Sequence, residues 1–273
     1  MKHRLVVLGV ALLFAAACAG GGGSTIAGSS PSASAAVRAD LAPTGQLRLG
    51  FPAQPPFLGQ KDPSSGQWKG LAIAIGEALA KSLGVPLSPT QFAGPPLAYQ
   101  ALQSGQVDVA FAQVQLKPGG VSSTGVIVSV QHSFLVRASA TLSTVADIDR
   151  DGIKVGSNAM EGHTPILAAQ LKHAKLVQFT TTGAGVAALA AGQIDAWADG
   201  RAALEGVSAQ IPGSRVLDGS FFTPMFAFEA QASHTDGVAY LDSFAATQLS
   251  SGAIKQDIDT IVGKPGVLAG AAA

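Results

Sequence analysis

The loop "GSNAMEGHTP", Gly156 to Pro165, gathers Ser157, Asn158, Glu161, His163 and Thr164 into ten residues, and Pro165 opens a helix. Hydroxyl, amide and imidazole groups beside a helix start suit the capture of a small carboxylate or similar anion. The same loop offers a second chemistry, since a carboxyl and an imidazole two residues apart can act as acid and base. Two other stretches carry polar groups in a comparable setting: Gln113, Gln115 and Lys117 follow one apolar run, and Asp199 and Arg201 follow another. Phe57, in "QPPFLG", supplies an aromatic face. No nucleophile motif, no His or Cys pair at metal-ligand spacing and no phosphate loop accompanies them. The expectation is therefore binding, with catalysis by Glu161 and His163 as the alternative, and no metal or cofactor.

Elements that could hold these groups are legible around them. "GQLRLGF", "VPLSPTQF" and "VDVAFA" read as strands, and "GLAIAIGEALAKSLG" and "PPLAYQALQSG" as helices between them. The order then recurs: "IKVGS", "TPILAAQLKH", "KLVQFT", "GAGVAALAAG" and "IDAWAD" repeat βαβαβ. Such an order favours parallel sheets with helices on their faces, and ligands bind beyond the carboxyl ends of the strands. The polar groups above all fall at those ends.

The last helix, turn and strand of each unit are nearly the same text, "ALQSGQVDVAFAQ" from Ala101 and "ALAAGQIDAWADG" from Ala188. Gly105 and Gly192 stand where a left-handed helix cap needs no Cβ. Asp108 and Asp195 are expected to stabilise the turns, and Trp68 and Trp197 to be structural. The copies diverge after the strand, where one continues into Gln113–Lys117 and the other into Asp199–Arg201.

The ordered set "GQLRLGFPAQPPF", "G-x-W-x-G-L", "ALQSGQVDVAFAQ", "VADIDRDGIKVGS" and "ALAAGQIDAWADG" resembles the extracellular solute-binding proteins of ABC uptake transporters, nearest to the polar amino acid receptors. The resemblance implies an α/β fold of two lobes, each a mostly parallel sheet flanked by helices, joined by two hinge strands. Lobe 1 would take 43–136 and 225–268 and lobe 2 would take 137–224, with crossings near 133–138 and 223–230. It implies a monomer that closes on a small polar solute, amino-acid-like or an organic anion, and delivers it to a membrane permease. Among such receptors an arginine in Gly-x-(Ser/Thr)-x-Thr-x-x-Arg grips the ligand's carboxylate. Here Gly120 stands at the arginine and Lys117 at the threonine, so that clamp is missing. The acid that holds an amino group is retained as Asp199, which could equally serve as an N-cap for a helix starting near Gly200, and Arg201 is expected to partner it or to meet an anion.

The start of the chain has a basic opening and an apolar run from Leu5 to Phe14, too short to span a bilayer, then small residues before Cys18, the only cysteine. This resembles a bacterial lipoprotein signal, with residues 1–17 removed, Cys18 lipidated and 18–42 a flexible tether rich in Gly, Ser and Ala. An ordinary secretory signal with Cys18 incidental is the other reading. Either places the mature chain outside the cytoplasm. Loss of Lys2 and Arg4 leaves 15 basic residues against 17 acidic ones, a balance that argues against nucleic acid as a partner.

Overall fold

The structure, a computed structural model, describes residues 33–272. The expected signal, Cys18 and most of the expected tether lie outside them. Order begins earlier than the expected residue 43. Helix α1, Ala35–Leu41, is capped by the Ser34 hydroxyl and buries Val37 and Leu41. Its Ala-rich text is continuous in composition with the tether, but two apolar side chains four apart are enough to dock it.

From there the first lobe is laid down as β1 (Leu47–Pro52), a small hairpin of β2 (Gln60–Lys61) and β3 (Trp68–Lys69), then α2 (Leu71–Leu83), β4 (Leu87–Phe92), α3 (Pro95–Gln103), β5 (Val109–Gln113), β6 (Val121–Ser123) and β7 (Val128–Val130). The second lobe follows as β8 (His132–Val136), β9 (Lys154–Asn158), α4 (Thr164–Gln170), β10 (Lys175–Phe179), α5 (Thr182–Ala190), β11 (Ala196–Gly200), α6 (Arg201–Ser208) and β12 (Arg215–Val216). The chain then returns for β13 (Met225–Gln231), α7 (Thr235–Ser250), α8 (Ala253–Ile261) and β14 (Val267–Ala269).

One sheet runs β14-β7-β13-β5-β1-β4 with β6 on β13, and the other runs β10-β9-β11-β8-β12. The βαβ steps give parallel pairs, and the strands next to the crossings pair antiparallel. This is the two-lobed α/β architecture of periplasmic binding proteins. The first core joins α1, α2, α7 and α8 to one face of the first sheet.

The first crossing lies earlier than the expected 133–138. The run His132–Val136 belongs to the second sheet, where it pairs with both β11 and β12, and Ser133 to Val136 are buried. A strand paired on both sides belongs to the second sheet, so the crossing precedes it. Gln131 is the crossing, and the return runs through the segment after Val216, where Phe222 bridges to His132.

The repeated turns are superimposable in their bonding. Gly105 and Gly192 both have φ +73. Gln106 N–H donates to Ala101 O and Gln193 N–H to Ala188 O. The two acids do more than stabilise a turn. Asp108 accepts from Arg48 N, Nε and Nη2 at 3.1, 2.9 and 2.5 Å, tying β5 to β1. Asp195 accepts from Lys154 N at 2.8 Å, tying β11 to β9, and lies 3.8 Å from Arg137. Each acid locks the third strand of its unit onto the first.

Trp197 is wholly buried and edge-on to Phe179. Its ring rests on α5 and β9 so closely that a Cβ at Gly185 would fall 1.9 Å from it, and one at Gly156 2.9 Å. Trp68 packs against Phe51 at 5.5 Å, in a structural role.

Candidate functional site

The carboxyl ends of β9 and β11 and the start of β8 meet at one edge of the second sheet, because Asp199 pairs with Ser133 and Gly200 with His132. The loop Gly156–Pro165 folds over this edge. Ser157 and Thr164 are fully buried, and their hydroxyls lie 2.7 Å apart. Thr164 Oγ1 also donates to Asn158 O at 2.6 Å, and Ser157 Oγ lies 3.2 Å from His163 Nε2. The expected donors Ser157 and Thr164 are thus spent on bracing the loop. Asn158 is half-spent as well, accepting from Met160 N and donating to Thr182 Oγ1. The backbone N–H groups of Gly162 and His163 find no acceptor among the described residues.

His163 is 3% exposed, and its ring centroid lies 4.9 Å from that of His132. Phe221 approaches both rings, and Phe222 packs on His132. Burial pushes His132 down to about 4, and burial with the neighbouring His132 pushes His163 down to about 3. Both imidazoles are neutral at neutral pH. His163 has Ser157 on Nε2 and the Ala198 carbonyl beside its ring. A ring so enclosed is a poor base for a substrate in the cleft.

The acids behave in the opposite way. Burial, reinforced by the nearby charge of Glu161, raises Asp199 to about 6, against the opposing pull of its bond from Gly200 N. Burial raises Glu161 too. The Trp197 indole N–H faces the Asp199 carboxylate and favours its ionised form, although it reaches hydrogen-bond geometry with no described residue. Asp199 forms no ion pair among the described residues. Asp199 is thus a carboxyl that is desolvated, crowded by a second acid and without a cation among the described residues.

Arg201 is not at this edge. Helix α6 starts at Arg201, and the change from strand to helix turns its side chain away from Asp199. Its guanidinium donates to Leu217 O at 2.5 Å and Gly219 O at 3.2 Å, and stands 3.8 Å from Glu205. The expected partnership with Asp199 or an anion is replaced by one with the return segment.

On the first lobe, Phe57 sits in a short 3-10 turn after β1, half-buried against the core. Gln113 ends β5, and its carbonyl accepts from Tyr99 Oη at 2.8 Å. Gln115 clamps the return segment, donating to Thr223 O at 2.9 Å and accepting from Met225 N at 3.1 Å, so both ends of its amide are taken. Lys117 is exposed and forms no ion pair among the described residues. Of the ten expected residues, Asn158, His163, Thr164, Ser157 and Asp199 come together on the second lobe. Sequence reasoning missed His132, Phe221 and Phe222 as residues of this edge; the expected bounds placed His132 in the first lobe, and Phe221 and Phe222 were singled out by no motif.

Beneath the Gln113–Lys117 turn lies an unexpected polar group. Glu229, in the middle of β13, is wholly buried. Ser123 Oγ donates to its Oε2 at 2.6 Å, and Tyr99 Oη stands 3.2 Å from its Oε1. Tyr99 has one hydrogen, and the carbonyl of Gln113 can only accept it. Tyr99 therefore donates to one of the two acceptors at a time, and a proton on Glu229 would satisfy the third contact when it donates to Gln113 O. Burial raises Glu229 to about 7, against the pull of Ser123, Tyr99 and Lys117.

No protein-family model matches the chain, and no curated protein matches it. Among solved structures, an ancestral cationic amino acid solute-binding protein aligns with TM-score 0.65 at 19% identity, over 80% of this chain and 96% of that one. An amino acid ABC transporter substrate-binding protein, AbpA from Streptococcus pneumoniae, bound to L-arginine, aligns with TM-score 0.60 at 20% identity, over 82% and 97%. An ancestral cyclohexadienyl dehydratase aligns with TM-score 0.52 at 21% identity, over 80% and 93%. At such identities the likeness is one of architecture, and the chain has the two-lobed fold of the solute-binding proteins of amino acid transporters.

Proposed function

We propose that the protein captures a small solute bearing an ammonium or guanidinium group, amino-acid-like in size, in the cleft between its lobes. The observation that carries this is Asp199, held at the strand ends beside Glu161 with no cation to meet it. The diversion of Arg201 removes one of two side-chain cations expected to favour an anion, and leaves Lys117. An accompanying carboxylate would find the free N–H groups of Gly162 and His163. Closure of the lobes about Gln131 and the return segment buries the solute, and its differential affinity for the closed form drives the change. The loaded protein then serves an ABC transporter permease as a monomer, outside the cytoplasm.

A thermal-shift screen over amino acids, polyamines, organic acids, phosphonates and sulfonates tests the reading. An amine or guanidine at a hundred times its Kd is expected to stabilise the fold by about 2.7 kcal/mol, and a simple organic anion not at all. Stabilisation by anions alone, or turnover of a substrate, would overturn it. The dehydratase among the fold neighbours keeps a lyase as the second reading, with Glu161 as the acid. The enclosure of His163 weighs against it.

Lipidation of Cys18 would hold the protein at the membrane surface. Cys18→Ser is expected to move it from the membrane fraction to the soluble one, and retention on the membrane would remove the lipid from the proposal.

A further inference from the structure

The side of the hinge away from Asp199 carries a set of contacts that the capture of a solute does not use. There the first lobe presents the loop Gly263-Lys264-Pro265-Gly266, between α8 and β14, to helix α6 of the second lobe. The aliphatic stem of Arg201 lies on Gly266 so closely that a Cβ there would fall 2.5 to 2.8 Å from its Cβ, Cγ and Cδ. Lys264 reaches back across the boundary, and a Cβ at Gly206 would fall 2.8 Å from its Nζ. Ala202 packs against the first lobe's core. The crossing itself is held between the same two partners, with Gln131 N–H donating to Gly266 O at 2.7 Å and Arg201 N–H donating to Gln131 O at 2.8 Å.

Around these contacts is a groove of about 1040 Å³, lined from both lobes by Gln131, Arg201, Asp218, Lys264 and Gly266 among others. It shares no lining residue with the Asp199 edge. On that opposite edge the Gly156–Pro165 loop forms no hydrogen bond or ion pair with the first lobe among the described residues. The lobes thus touch behind the hinge, at Gly266, Lys264 and α6, while the Gly156–Pro165 loop in front of it makes no polar contact with the first lobe among the described residues.

Two lobes turning about one axis cannot close in front without parting behind. We infer that the Gly263–Gly266 loop seated on α6 is a latch that holds the unliganded protein open, with Lys264 and Arg201 as its positioning residues. The inference rests on the proposed hinge closure and deepens it. A solute must supply the free energy that separates the latch, so the latch sets how much of the intrinsic affinity is seen. Residues 201, 264 and 266 thereby tune affinity without touching the solute.

Small-angle X-ray scattering of the unliganded full chain tests this without any solute. Lys264→Ala is expected to shift the population toward the closed form and reduce the radius of gyration. Arg201→Ala is expected to do the same, at the cost of the partners of Leu217 O and Gly219 O. Lys255→Ala, which removes a charge of the same groove that pairs with Asp259 inside α8 at 2.5 Å, is expected to leave it unchanged. Any amine that stabilises the wild type is expected to bind Lys264→Ala about two- to fivefold tighter. A merely structural lysine would leave affinity and radius where they were. Unchanged scattering for Lys264→Ala and Arg201→Ala, or weaker binding by Lys264→Ala with its melting temperature preserved, would overturn the latch. Failure of the solute reading would show separately, as a screen without a hit beside a scattering shift that stands.

Discussion

Replacing Asp199 by asparagine is expected to abolish the stabilisation that an amine solute gives the wild-type protein. The amide keeps the shape and can still accept from Gly200 N, so the loss isolates the charge. Removing one member of a desolvated charge pair costs about 2–5 kcal/mol, roughly thirtyfold to several thousandfold in Kd. The pH dependence has a defined sign. Asp199 is raised to about 6, so the ionised form that a cation needs is dominant at pH 7.5 and scarce at pH 5. Affinity should therefore fall about tenfold per unit of pH below 6. Without solute the same group acts on stability in the other direction: its contribution is full below the ordinary carboxyl value and is lost as pH rises through about 6. A melting-temperature series with and without solute, at pH 5 to 8, reads both. An asparagine variant stabilised as much as the wild type would move the site elsewhere.

The second large effect is on stability and belongs to Glu229. Its ordinary value of 4.5 becomes about 7 in the folded chain. The folded state thus holds a proton that the unfolded state releases between those values, and stability falls as pH rises from 4.5 to 7. Linkage puts the loss at up to about 3 kcal/mol. Glutamine mimics the protonated acid: its N–H can donate to Tyr99 Oη, and its carbonyl can accept from Ser123 Oγ. Urea unfolding of Glu229→Gln should match the wild type at pH 4.5 and exceed it by roughly that amount at pH 8. Parallel pH profiles for the two proteins would show that Glu229 carries no proton in the fold.

The strands and helices were legible because their cause is local. Leu71, Ile75, Leu79 and Leu83 announce α2, and Gly84 with a φ of +72 ends it. The repeated Gly-Gln-(Val/Ile)-Asp turns were legible for the same reason. Helix α4 was read through His173 but stops at Gln170, because the Asp149 carboxylate gathers the N–H groups of Lys172, His173 and Ala174. That acid is more than twenty residues distant, beyond the reach of a periodicity argument. The candidate site is assembled partly by contacts that no local pattern announces. Ser157 and Thr164 lie at the strand-end edge of the second sheet, but their hydroxyls are consumed by each other. Arg201 is adjacent to the site in sequence and turned away from it by one change of backbone geometry. Glu229 looks like an outward residue of an alternating strand in "MFAFEAQ", and only the arrival of Tyr99 and Ser123 from other elements buries it.

Strand β13 lies between β7 and β5 in the first sheet, yet it follows the whole second lobe in the chain. In chain order the second lobe is therefore complete while the first still has a gap at its centre and bare edges on β5 and β7. The N-terminal half is sealed only by a strand that lies nearly a hundred residues further along the chain. The strand that finally fills it brings Glu229 along, so sealing the centre of the sheet also buries an acid whose burial favours its protonated form.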